Sequence, residues 1–259
     1  MPMHNAKTNL YEHVSHLRDQ LHITLASYPL SLTGLPFRHP LQIEHHLFQT
    51  PGFCALAFAG DKFDTIILNA NRNPLEQNFD CGHELIHLTK HRNIKQGCFH
   101  CFDKTQPTQN PFIEWEANEG AAELLVPYKL FLPAICETSR IYCREPQKIK
   151  PALAKQFHVT TTVIEYRIHS LAYELYQYDI LSTDISQIAL LSHNETKQRH
   201  LSHLTAFSYY CPDCLSSIAS GNAVCCPHCG GSFRQNAPLY GLGYRHDIGG
   251  GHGCIVISD

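Results

Sequence analysis

Charge is sparse and nearly balanced in this chain of 259 residues: 17% of them are Asp, Glu, Lys or Arg, and 23 acidic against 20 basic side chains leave a formal net charge of -3. Such a balance provides no global electrostatic drive toward nucleic acid or an anionic membrane. No apolar run approaches the eighteen or so residues that a spanning helix needs, and the opening residues MPMHNAKTNLYEHVSHLRDQ lack the apolar core of a secretory signal. A cytoplasmic location is therefore expected. Internal repeats are missing, and biased composition is confined to the Gly-rich GLGYRHDIGGGHG near the end. With 43% hydrophobic residues the chain is neither disordered nor fibrous. What it has in quantity is cysteine and histidine, 12 and 19 residues. In a reducing compartment thiols at that density point to metal rather than to disulfides.

Leu10, Val14, Leu17 and Leu21 recur on one helical face and predict an N-terminal helix. Phe53 to Ala59 and Phe63 to Asn69 are apolar runs flanking Gly60, Asp61 and Lys62, a turn composition that predicts a hairpin. Asn73, Pro74 and Glu76 then supply an N-cap, a proline at the first helical position and the glutamate of a capping box, so a helix is expected from there to about His91. A second helix is expected over Phe112 to Leu125, stopped by Pro127, with Ile113, Ala117, Ala121 and Leu124 as its buried stripe. Ile149 to Phe157 and Thr160 to about Tyr176 read as two helices joined in a helix-turn-helix layout.

The first long helix carries the chemistry. His83, Glu84 and His87 spell His-Glu-x-x-His, and four residues at 100° each bring the two imidazoles within about 40° of one another. Both reach one zinc ion, and Glu84, on the flank of the same face, is placed to act on water as a general base. A third ligand must come from elsewhere, because the extended histidine pattern fails at Lys90 and Asn93. The second helix offers Glu114, Glu116, Glu119 and Glu123. Glu114 adjoins the buried stripe and has Asn118 one turn on, an amide able to orient a histidine ring. Glu116 and Glu119 are expected to face solvent. Tyr128 and His91 are candidate donors to a transition state, and an exposed edge of the hairpin is a candidate cradle for an extended substrate segment.

The succession IILNANRNPLEQNFDCGHELIHL, EWEANEGAAELLVP and LAKQFHVTTTVIEYRI resembles the ImmA/IrrE family of metallo-endopeptidases, over roughly residues 8–178. The resemblance implies an α+β, zincin-like fold with a small β-sheet, the HExxH helix and a helical bundle. It implies zinc on His83, His87 and Glu114, catalysis by Glu84, and a helix-turn-helix transcriptional repressor as substrate. Gly120 stands where the family usually has an aromatic, and Val126 where it has a methionine.

Near the other end, Cys211, Cys214, Cys226 and Cys229 form CPDC and CPHC eleven residues apart, the spacing of a structural four-thiolate zinc ribbon. Two zinc ions are thus expected, one catalytic and one structural. The expected organisation is a metallopeptidase domain over residues 1–180 that includes the helix pair 149–176, a linker over 181–207, and the ribbon with its Gly-rich tail over 208–259. The ribbon is expected to recruit a partner or substrate. Cys54, Cys81, Cys136 and Cys143 read as small core residues, Cys81 also as a poor third ligand, and Cys98 and Cys101 receive no role. The alternative is a DNA-binding or repressor-binding regulator without proteolytic activity. Against direct nucleic-acid contact, Arg167 is the only basic residue in the first turns of the second helix of the pair.

Overall fold

The computed structural model describes residues 5–35, 41–94, 97–142 and 145–201, together with four two-residue strands further on. Cys211, Cys214, Cys226 and Cys229, and with them the expected ribbon, lie outside the described residues, as does Cys143. No helix among the described residues is long and apolar enough to cross a membrane. The chain divides into two compact units, one formed by Asn9–Pro127 with Ala154–Val163 and one by the remaining described residues.

The first unit is mixed α+β, as expected. Helix α1 (Ala6–Gln20) brings to it Leu10, Val14 and Leu17, all buried, which realises the helical spacing. Strands β1 (Leu41–His46), β2 (Phe53–Phe58) and β3 (Asp64–Asn69) follow, then helix α2 (Pro74–Lys90), strand β4 (Cys98–Phe102) and helix α3 (Pro111–Leu125). The sheet order is β1-β3-β2-β4. β2 and β3 form the expected antiparallel hairpin, β1 pairs with β3 in parallel, and β4 pairs antiparallel to β2.

β1 and β4 were not expected from the sequence. β4 nonetheless carries the period of a half-buried strand, with Phe99 and Cys101 buried between less buried Cys98, His100 and Phe102. Cys98 and Cys101, three positions apart on a strand, therefore project to opposite faces and make no common site.

α2 lies across β2, β3 and β4 and against α3. Ala55 and Ala57 of β2, with Ile66 and Leu68 of β3, are fully buried on the helix-facing side of the sheet. Two glycines let the α2 and α3 backbones approach. A Cβ on Gly82 would stand 3.3 Å from that of Ala121, and one on Gly120 would stand 2.9 Å from Ile86 Cγ1. The aromatic that Gly120 displaces has no room here, because Ile86 fills the space from the opposite helix. The start of α2 is as the sequence implies. Asn73 accepts hydrogen bonds from the backbone N–H groups of Leu75 and Glu76, and Glu76 accepts from the Asn73 N–H at 3.1 Å.

The second unit holds helices α4 (Tyr128–Ile141), part of α5 (Ile149–Phe157), most of α6 (Thr161–Ser170), α7 (Ala172–Leu175) and α8 (His193–Gln198). α4 contains Pro133 and escapes a reading that ends helices at prolines. The helix expected over Thr160 to Tyr176 breaks at Leu171, whose backbone leaves helical values at φ -105 and ψ 15. The Ser170 carbonyl accepts from Lys7 Nζ, a side chain competing with the helical ladder. Lys7 Nζ also pairs with Glu174 at 2.8 Å, and both side chains are buried. α8, capped by Ser192 and Glu195, falls within the segment expected as linker.

Candidate metal centre

Helix periodicity places His83 and His87 one turn apart, and their Nε2 atoms stand 3.0 Å from each other. α3 begins at Asn110, whose side chain accepts from the Phe112 N–H. Its first turn delivers Glu114 so that Oε2 lies 3.4 Å from His83 Nε2 and 3.7 Å from His87 Nε2. All three residues are buried. Ligand atoms on tetrahedral corners about 2.1 Å from a zinc ion lie roughly 3.4 Å apart. The triangle has that size, and its atoms are two imidazole nitrogens and a carboxylate oxygen, a donor set suited to zinc.

Electrostatics agree with the convergence. Burial pulls the His87 imidazole down to about 4, against the opposing pull of Glu114. Burial also acts to lower His83, but there the hydrogen bond and charge of Glu114 and the charge of Glu84 outweigh it, and the imidazole moves upward. Two nitrogens 3.0 Å apart do not both hold a proton and a charge, so the two rings move in opposite directions. Burial pushes Glu114 up, but its bonds to both histidines prevail and hold its carboxyl down at about 2.

Glu84 is fully buried, and neither carboxylate oxygen has a hydrogen-bond partner among the described residues. Burial raises its carboxyl to about 8. A buried, unpartnered carboxylate costs several kcal/mol in a fold that has no use for it. One oxygen of Glu84 lies within 4.8 Å of a His83 ring nitrogen and of the Cys101 thiol. Cys101 is held neutral by its bond to Cys54 and by burial. Cys81 is not part of the cluster, and burial pushes its thiol up to about 12.

The flanking residues divide between expectation and correction. Asn118 Oδ1 lies 3.0 Å from His83 Nδ1, the contact its position one turn after Glu114 implies. Glu116 and Glu119, expected in solvent, are buried. Glu116 Oε2 contacts His91 Nε2 at 2.9 Å and Oε1 lies 3.4 Å from Lys90 Nζ, while Glu119 accepts from the Tyr11 hydroxyl. Glu123 pairs with Arg18 at 3.0 Å. An amphipathic reading assigns solvent to whatever is off the apolar stripe, whereas α3 is buried on several sides and finds a polar partner for each acid. His91 lies against His87 Nδ1, on the side of the ring away from the three converging atoms, so it is no transition-state donor. The sequence missed Phe99, which stacks on His87 with ring centroids 4.7 Å apart. The short apolar run CFHCF was the only sequence signal for it, without the alternation that would mark one face.

Residues 43–169 match the family model Peptidase_M78, described as the IrrE N-terminal-like domain. No curated protein matches the chain at a significant level.

Proposed function

Through residues 43–169 the chain belongs to the IrrE N-terminal-like peptidase family, a family of metallopeptidases, and on that premise we propose that it is a zinc-dependent endopeptidase. The supporting observation is the convergence of His83, His87 and Glu114 beside the unpartnered carboxylate of Glu84. His83 Nε2, His87 Nε2 and Glu114 Oε2 hold the ion. Zinc, when bound, supplies Lewis acidity toward water and the scissile carbonyl. Glu84 takes the proton from the attacking water onto a carboxylate oxygen and delivers it to the leaving amine. Its buried setting suits that work, because a carboxylate stripped of hydrogen-bond donors has a raised proton affinity. Asn118 accepts from the Nδ1–H of His83 and so turns Nε2 toward the centre.

The substrate is a helix-turn-helix repressor whose cleavage relieves repression, an assignment that rests on the resemblance of the sequence to its family. Cys211, Cys214, Cys226 and Cys229 bind a second, structural zinc, and the segment that holds them recruits a partner after a linker over residues 181–207. Arg167, the basic residue a DNA-reading helix would need, is fully buried, which weighs against direct nucleic-acid binding. Elemental analysis of the purified chain and cleavage of a co-expressed repressor from a neighbouring gene, followed by mass analysis of the fragments, test the reading together. Two zinc ions per chain and repressor fragments are expected. One zinc ion and an intact repressor would overturn it.

A further inference from the structure

The two histidines of the centre are held from behind by different chemistry. His83 Nδ1 meets a neutral amide oxygen of Asn118 at 3.0 Å. His87 Nδ1 instead meets another ring, His91 Nδ1, at 3.0 Å, and the far nitrogen of that ring meets the Glu116 carboxylate at 2.9 Å. All of these side chains except Asn118 are buried. We infer that His91 and Glu116 form a two-link chain of positioning residues that fixes His87 in the tautomer whose Nε2 is free to hold the ion. The inference rests on the metallopeptidase reading and adds to it the residues that set the ring.

Proton counting gives the direction of the chain. Two Nδ1 atoms 3.0 Å apart share one hydrogen. If His91 donated it, the single proton of neutral His87 would sit on Nε2, and that nitrogen would have no lone pair for a metal. With the hydrogen on His87 Nδ1, His87 donates to His91, and His91 carries its own proton on Nε2 and donates it to Glu116. A carboxylate at the end accepts but does not donate, so it selects this arrangement over the reverse. Backbone geometry anchors both ends. His91 caps α2 with its N–H on the His87 carbonyl at 3.0 Å, and Glu116 projects from the first turns of α3, two residues after Glu114. Phe99 stacks on the His87 ring and limits its rotation. The outcome is an imidazole held in one tautomer and one orientation, which strengthens its bond to a metal ion.

The test measures zinc binding to the full chain by competition with a chromogenic chelator, with no substrate present, and the tautomer of His87 by ¹⁵N spectra of the zinc-loaded protein. A His83→Ala variant identifies which zinc belongs to the centre. If that variant binds zinc like the wild type, the metallopeptidase reading itself fails, separately from the chain. His91→Leu removes the acceptor and is expected to weaken zinc at the centre by about 10–100-fold, with loss of the His87 Nδ1–H signal. His91→Gln restores an acceptor oxygen and is expected to recover most of the affinity. Should His91→Leu fail to fold, Glu116→Met interrupts the same chain at its outer end and is expected to lose part of the affinity. Unchanged affinity in His91→Leu or Glu116→Met would overturn the inference, and so would equal losses in His91→Leu and His91→Gln, which mark a packing role only.

Discussion

Two buried glutamates, one in each unit, show how the same group is used for opposite ends. Glu174, in the second unit, is fully buried, and one of its oxygens accepts from Lys7 Nζ at 2.8 Å and from the Leu191 N–H at 3.0 Å. Glu84, in the first unit, is as deeply buried and has no partner among the described residues on either oxygen. Burial raises both carboxyls. A buried charge with a partner has its desolvation cost offset, whereas an unpartnered one is an uncompensated cost that persists where chemistry needs it. The acids of α3 reinforce the contrast, since Glu116, Glu119 and Glu123 are tied to neighbours outside the centre or behind it, whereas the Glu114 carboxylate faces His83 and His87.

The sharpest way to break this comparison is to remove each carboxylate's charge or partner. Glu84→Gln is expected to lower peptide hydrolysis by roughly 10²–10⁴-fold with the metal content unchanged from wild type, read by cleavage kinetics beside elemental analysis. If the variant cleaves like the wild type, Glu84 is not the base. Lys7→Met leaves Glu174 buried without its cation and is expected to cost about 3–5 kcal/mol in urea unfolding. A loss below about 1 kcal/mol would place Lys7–Glu174 among ornamental surface pairs and erase the contrast.

Smaller changes sharpen it. Glu84 and Glu114 keep their places only while α2 and α3 stay in close approach. Gly120→Ala puts a methyl group against Ile86 and is expected to cost about 1–3 kcal/mol, and the double variant Gly120→Ala with Ile86→Val should recover part of that. Strict additivity in this cycle would show that the contact does not constrain the helices.

The smallest effect is a pH trend in Glu174. Its folded carboxyl is raised, by burial first, so the folded chain holds that proton more tightly than the unfolded chain. Its contribution to stability is therefore greatest below the unfolded carboxylate range and declines as pH rises through the folded value. Denaturant titrations of wild type and Glu174→Gln from pH 4 upward should show the wild type losing ground to the variant, and the reverse slope would contradict the assignment.

The sequence reading reached furthest where one short window held all the information. The cap at Asn73, the spacing of His83 and His87 and the stripe of α3 are each set by helix geometry within a few turns. It reached less far at β1, a strand half-buried only at Leu41 and Ile43 and exposed elsewhere, and at α4, where Pro133 reads as a stop. It failed at Glu116 and Glu119 because burial there depends on what packs around α3, which no periodicity within α3 records.

Local spacing was thus enough to specify a helix carrying two imidazoles and a carboxylate on neighbouring faces. Which acid of α3 completes the triangle, which carboxylate stands behind His91 and which aromatic covers His87 were settled only when residues 12 to 31 positions apart came together. The reason is physical. Helix periodicity is a property of adjacent turns, whereas the meeting of α2 with α3 and β4 depends on small residues such as Gly82, Gly120 and Ala121 that let backbones approach, and on the burial that drives them to do so.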